Sequence, residues 1–404
     1  GLSSVGGNPI GDRLICFDKD AFTSFGLQQS ANCAVCEDAA ATYRAALNHL
    51  ISNSERPLVG AKIVHWFNRS IPGEFDAMAW LGEPSAGQVE AAANKRAADL
   101  LNSIREGKHP DLANNTYYAL TLSGAGGRIM VRDWMEGSFE ELVESVGRWF
   151  EDFQIVNIYG SHPAKDPGIV RIVTSLLPPE VTKQDSVQPQ ARALWKSALR
   201  KDIPIPYSAL AKAVMLNTRF ILSGKFEDAL DTASKSRDHA NNISLIHTRM
   251  GLIKVYHIRK NGGKGNMTPY LNEEHPNPAY QCGRLMALLA GLQKSALGDV
   301  GAGVVQRFYA AASATPAMVL GRLARTSQFH LSKIEPHKPG LAYWYNERIA
   351  QVWGRIQDNV PKTLNLEEQS LFALGYYQEI AAGRTKNGSA ETSTDQTTEE
   401  NDNV

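Results

Sequence analysis

Apolar positions along the chain follow two rhythms. Over the first 160 residues, short alternating runs interleave with helical stripes; beyond them the three-to-four-residue period dominates. "DRLICFD" (12–18) and "AKIVHWFN" (61–68) read as short strands, the second with Ile63 and His65 on one face and Val64 and Trp66 on the other. Between them, Cys36-Glu37-Asp38 opens a helix over 37–52, with acids where the macrodipole favours them and good helix formers following. "PSAGQVEAAANKRAADLLNSIREG" predicts a second helix stopped by Gly107 and Pro110. "TYYALTLSGAGGRIMVRDWM" contains a Gly-rich turn that feeds Ile129, Met130 and Val131. It is therefore a β-hairpin and not a phosphate cradle, which needs a helix N-terminus after the loop. Ser138 and Glu141 stand at capping-box spacing before a stripe of Leu142, Val143, Val146, Phe150 and Phe153.

Residues 160–190 hold Pro163, Pro167, Pro178, Pro179 and Pro189 and read as an irregular connection. "ARALWKSALR" and "YSALAKAVMLNTRFIL" predict helices on either side of Pro204/Pro206. "SLIHTRMGLIKVYHIRK" follows and ends at Gly262-Gly263. After Pro276 and Pro278 come four further helical stripes. The first aligns Leu285, Leu288, Leu289 and Leu292. The second starts with Thr315 as N-cap and Pro316, points Val319, Leu320 and Leu323 inward, and leaves Arg322 and Arg325 outside. The third gathers Ile349, Val352, Trp353 and Ile356, with Arg348 and Arg355 on its outer face; "NLEEQSLFALGYYQEIAAG" is the fourth. No repeat of fixed period emerges. The expected fold is an α+β N-terminal part with a β-hairpin and packed helices, followed by a mostly α-helical region ending in a four-helix bundle. The expected divisions are 1–160, a helical connecting region 161–275, the bundle 276–387, and a disordered acidic tail 388–404, which has nothing to bury.

Charge changes this picture. The net charge is zero, but residues 1–150 carry 13 Lys and Arg against 18 Asp and Glu, residues 280–387 carry 12 against 7, and the tail none against 5. A basic back half is what a polyanion partner requires, and the candidate contacts are Lys254, Arg259, Lys260, Lys264, Arg322, Arg325, Arg348 and Arg355. Trp344, Tyr345 and Trp353 are aromatic enough to stack on bases, though bundle core suits them better. Four cysteines are no disulfide framework and point to a reducing cytoplasm. No apolar run has the roughly 20 residues that a membrane helix needs. Cys33 and Cys36 have no second ligand pair, His239 and His247 lie eight apart, and Glu273, Glu274 and His275 adjoin on a Pro-bounded loop. None of these has the spacing of a metal site, Asp133 is a lone carboxylate expected to face solvent, and neither metal nor cofactor is expected.

"SFGLQQSANCAVCEDAAATYRAALNHL", "YYALTLSGAGGRIMVRDW", "TRMGLIKVYHIRKNGG" and "SLFALGYYQE", in that order, resemble the large subunit of the type I-C CRISPR surveillance complex, the DNA-targeting Cascade assembly. The likeness runs from about residue 1 to 385. In that family the stretch before the first helix recurs without cysteine, so Cys33 and Cys36 read as small residues beside a structural cap. The resemblance implies a role without covalent chemistry: helping to bind target duplex near the protospacer-adjacent motif, steadying the displaced non-target strand, and recruiting the helicase–nuclease. Its partners would be the backbone and small subunits around the guide RNA, which reads sequence while protein reads a short motif and backbone. Family members carry a further N-terminal domain, so an upstream segment is expected ahead of Gly1. The bundle also resembles the small subunit, which in this subtype arises from an internal start; Met267, Met250 and Met286 are the candidates. The rival readings are a helical scaffold without nucleic-acid contact and a metal-dependent enzyme.

Overall fold

Three antiparallel strands and fourteen α-helices make up the described residues of the computed structural model, which are 2–17, 19–54, 58–82, 93–180, 184–230, 236–262, 267–298 and 303–395. In chain order they are α1 (Glu37–Asn53), β1 (Lys62–Phe67), α2 (Ala77–Trp80), α3 (Ala93–Arg105), β2 (Thr116–Ala125), β3 (Arg128–Ser138) and α4 (Phe139–Phe153). Then come α5 (Ile169–Thr174), α6 (Gln188–Leu199), α7 (Tyr207–Leu222), α8 (Lys225–Leu230) and α9 (Arg237–Lys260). The last are α10 (Pro278–Leu297), α11 (Val304–Ala314), α12 (Pro316–Ile334), α13 (Pro339–Ile356) and α14 (Leu366–Asp395). The protein is thus mostly helical with an α+β N-terminal part. It divides into two compact units, residues 1–148 with 179–201 and residues 149–178 with 202–404. The division falls inside α4; residues 179–201 of the expected connecting region belong to the first unit, and the rest of that region shares a unit with the bundle.

In the first unit the sheet order is β1-β2-β3. Gly126 and Gly127, with φ of 56° and 80°, close the β2–β3 hairpin in the two-residue turn whose positive φ glycine tolerates at no steric cost. A bulge interrupts the β2–β3 register at Thr121/Leu122. On one sheet face Leu2, Val5 and Ile51 bury Val64 and Leu122, with Leu47 and Leu50 of α1 packed against them. Phe67 meets Phe139 edge-on at 5.6 Å, and Phe139, Leu142, Val143 and Val146 are buried. The Glu141 amide donates to Ser138 Oγ at 3.1 Å, the cap the spacing predicts. Asn115 fastens the strand entry, its side chain bonding both the amide and the carbonyl of Arg69.

Two sequence expectations change here, and one lies partly outside the described residues. "DRLICFD" forms no strand; only Arg13 bridges to Arg128. A strand needs a continuous ladder as well as alternation, and this segment makes a single rung. The helix predicted from residue 84 is described only from Ala93, because 83–92 lie outside the described residues. Asp133 does not face solvent alone: Lys196 of α6 pairs with it at 2.6 Å, and its side chain is 17% exposed.

The second unit is built around α10, whose residues Ala279–Leu289 are buried on every side. It packs against α11, α12, α13 and α14. The approach to α14 is close because glycine sits at the contact from both helices: a Cβ on Gly283 would lie 1.9 Å from the Phe372 carbonyl oxygen, and one on Gly375 2.2 Å from that of Tyr280. A fifth helix, α11, joins the four that the apolar stripes predict. Helix α14 runs on to Asp395, past the expected boundary at Gly388, and 396–404 lie outside the described residues. Once a helix is nucleated, each added residue gains a hydrogen bond without needing burial. Thr315 occupies the N-cap of α12 with Pro316 after it, as expected, but its side chain makes no cap bond; its hydroxyl donates back to the Ala311 carbonyl.

Candidate nucleic-acid interface

The eight basic residues singled out in the sequence do not share one surface. Lys254 (2% exposed) and Arg259 (9%) are buried on α9. Arg259 Nε lies 3.1 Å from Asp152 Oδ2, and its guanidinium stands over the Trp149 ring. Lys260, at the rim of that helix, donates to both oxygens of Glu367 at 2.6 and 2.5 Å. Lys260, followed by Tyr256, whose hydroxyl also donates to Glu367, holds that carboxyl below its usual range. Lys264 lies outside the described residues.

Arg348 is not on the outer face of α13. It is 8% exposed and reaches Glu273 at 2.6 Å and Glu379 at 2.8 Å. Glu379 also takes Arg284 at 2.7 Å, both side chains 2% exposed. Burial works against the charge of Arg348, but Glu379 and Glu273 outweigh it and raise its pKa. Arg355 holds Glu274 with both nitrogens of its fork, Nη1 at 2.8 Å from Oε2. The acids of the Pro-bounded loop are thus ion-pair partners that lash residues 267–277 to α10 and α13, assisted by Gln281 and Arg284 donating to the Glu273 carbonyl. Arg348 cannot turn to a phosphate without taking a partner from the buried Glu379, which costs several kcal/mol, whereas the Arg355–Glu274 pair is exposed and is worth under ~1 kcal/mol.

Arg322 and Arg325 differ. Both are exposed on α12, a helix containing no Asp or Glu, and neither meets an acidic partner among the described residues. Val319, Leu320, Leu323, Leu331 and Ile334 are its buried face, which turns the arginines outward as the apolar spacing predicts. Two residues on the outer face escaped the sequence reading: Met318, 78% exposed, and Phe329, 76% exposed. The signal was available, since both stand out of phase with the apolar stripe. Trp344 and Tyr345 instead line a cavity of about 410 Å³ with Leu288, Gly291 and Tyr376. Trp353 is half-buried, its ring 3.8 Å from where a Cβ on Gly321 would stand.

Among the described residues no three His, Cys, Asp or Glu side chains are grouped to hold a metal. Cys33 and Cys36 are free thiols, and Cys36 occupies the N-cap of α1 without a side-chain cap bond. The neighbouring Asn32 does the local work, accepting from the Ser24 amide and donating to the Leu27 carbonyl. His239 contacts Tyr159 and His247 accepts the Ile158 amide, so each serves its own turn. No helix among the described residues is long and apolar enough to cross a membrane.

A family model described as CRISPR-associated protein (Cas_Csd1) matches residues 2–382. The chain belongs to this family. No curated protein matches it. In this Cas_Csd1 chain the match spans both compact units, so the sheet, the buried ion pairs and the α12 face all belong to the family's matched region.

Proposed function

We propose that this CRISPR-associated protein is a non-catalytic, large-subunit-like component of a type I-C Cascade that binds polynucleotide through the outer face of α12. The observation that carries the reading is that Arg322 and Arg325 lie exposed on a helix without acids, while the other described candidates are engaged elsewhere. Within such an assembly, in the cytoplasm of a bacterium, guide pairing reads sequence. This chain supplies backbone contacts near the protospacer-adjacent motif, steadies the displaced strand and offers a docking surface to the helicase–nuclease. The partners are the backbone and small subunits on the guide RNA. Met267, in the loop before α10, is the internal start that keeps α10–α14 whole together with the loop residues that Gln281 and Arg284 hold, whereas Met250 and Met286 fall inside buried helices.

The test is charge reversal. In an electrophoretic shift titration across salt, the double variant Arg322→Glu, Arg325→Glu is expected to bind single-stranded DNA more weakly, with its log–log salt slope reduced by about 1.4, or ~0.7 per lost phosphate contact. Unchanged affinity and slope would remove α12 from the path. That outcome favours the second reading, a helical scaffold without nucleic-acid contact, which draws support from the ion pairs of Arg259, Lys260, Arg348 and Arg355.

A further inference from the structure

The cavity bounded by α8, α10, α11, α13 and α14 lies wholly within the second unit, and its volume of about 410 Å³ falls in the roughly 300–1,000 Å³ range of small-molecule sites. Trp344, Tyr345 and Tyr376 give its walls flat apolar faces, the first two meeting edge to face at 4.8 Å. Gly291 and Gly383 set backbone against two of these rings: a Cβ on Gly291 would stand 2.8 Å from the Tyr345 hydroxyl, and one on Gly383 3.8 Å from the Trp344 ring. Five charged residues also line the cavity, Glu227, Asp228, Lys294, Glu379 and Arg384. Glu379 already holds Arg284 and Arg348. Glu227 has both carboxyl oxygens covered without a hydrogen-bond donor, and burial above all raises its pKa toward the neutral form. Asp228 and Lys294 are exposed, where water screens them. Arg384 differs from all of these. It is half-buried and meets no carboxylate among the described residues. One nitrogen, Nη2, donates to the Leu230 carbonyl at the end of α8 at 2.7 Å, and the guanidinium stands 5.4 Å from the centre of the Tyr159 ring. Burial works against its charge, and no acid offsets this. A guanidinium that has lost part of its water without gaining a carboxylate is a ready partner for an anion.

We propose that this cavity binds a small aromatic carboxylate, its charge taken by the Arg384 fork and its ring laid against Trp344. Position supports the pairing, because the indole packs against Gly383, the neighbour of Arg384 on α14. The planar fork matches a carboxylate, and Trp344 offers a face on which a ring stacks. A doubly charged phosphate would need a second cation inside the cavity, and Lys294 is exposed. An organic cation meets no buried carboxylate in a position to receive it, since Glu379 is paired and the oxygens of Glu227 are covered. No residue of α12 lines the cavity, so this site is separate from the proposed nucleic-acid face. A bound ligand would join α13 to α14 and stabilise the folded chain by mass action.

Titration calorimetry of the purified chain with indole-3-acetate, indole and tryptamine tests it, since the three share a ring and differ in charge. Indole-3-acetate is expected to saturate one site and to bind about tenfold more tightly than indole, the range of one charge-assisted contact, with tryptamine weakest. Saturation should also raise the midpoint of a thermal melt. Arg384→Gln, which keeps a donor for the Leu230 carbonyl, should bring indole-3-acetate down to the affinity of indole, and Arg384→Lys should recover part of the difference. Trp344→Leu should weaken both probes alike. The Arg322→Glu, Arg325→Glu variant should bind indole-3-acetate as the unaltered chain does, so this site and the α12 face fail separately. Absence of saturable binding by every probe overturns the proposal, as does equal affinity for all three. A preference for tryptamine overturns it and assigns the cavity to its acids. These comparisons use the unaltered chain and remain decisive if a variant fails to fold. An unchanged preference for indole-3-acetate in folded Arg384→Gln places the carboxylate elsewhere and overturns the proposal as well.

Discussion

Glu379 shows how little freedom single charged residues have inside the second unit. Its two oxygens accept from Arg284 at 2.7 Å and Arg348 at 2.8 Å, and both it and Arg284 are 2% exposed. Replacing Glu379 by Ala leaves the buried Arg284 without its carboxylate and Arg348 with Glu273 alone, and a broken buried pair costs ~3–5 kcal/mol. The expected result is a urea midpoint shifted down by that amount with the slope unchanged. The Lys260–Glu367 pair is as short but half-exposed on the lysine side. Removing Lys260 should cost under ~1 kcal/mol, because water replaces much of what is lost. Equal losses from the two changes would mean that burial does not set the strength of these pairs.

At the scale of elements, the seam between α10 and α14 is set by backbone contact. Gly283→Ala must push a methyl toward the Phe372 carbonyl oxygen 1.9 Å away, so the helices separate or the backbone shifts. Overpacking of this kind costs ~1–3 kcal/mol, which a thermal melt resolves. Gly354, inside α13 with nothing within 4 Å of its would-be Cβ, is the control. Gly354→Ala should leave stability unchanged or raise it by ~0.5–1 kcal/mol, the helical cost of glycine relative to alanine. Helix α9 makes the complementary point. Leu252, Ile253, Val255, Tyr256 and Ile258 surround its axis, so Lys254, His257 and Arg259 are carried inward with them.

Across the whole molecule, buried histidines tie stability to pH. Burial, first of all, lowers the pKa of His247, His257 and His275 to about 4 each, against an ordinary value of 6.5. Between these values the unfolded chain binds more protons than the folded one, so stability rises with pH. Their contribution is complete above pH 6.5 and is lost as the pH falls toward 4. From pH 7 to 5 each histidine should cost the folded state about 2 kcal/mol. His257→Gln, which keeps a donor for Ser370 Oγ, should flatten the dependence in denaturant titrations at the two pH values. An unchanged dependence would assign it to other groups.

The chain order of amphipathic patterns was enough for the β2–β3 hairpin, the capped start of α4, and helices α7, α10, α12 and α13, because each is specified by residues close in sequence. The outward turn of Arg322 and Arg325 follows from the same local arithmetic. What no local rule supplies is the fate of a charge that acids remote in sequence come to meet. Arg348 has the spacing of an outer-face residue, yet it lies inside because Glu273 and Glu379, one 75 residues before it and the other 31 after, come to meet it. "DRLICFD" alternates like a strand but remains a single bridge, since a ladder depends on a distant partner strand. Periodicity thus determined which side of each helix is apolar, while the tertiary fold decided which charges are held by opposite charges and which stay in water. An ion pair between remote segments exists only once the chain has closed around it.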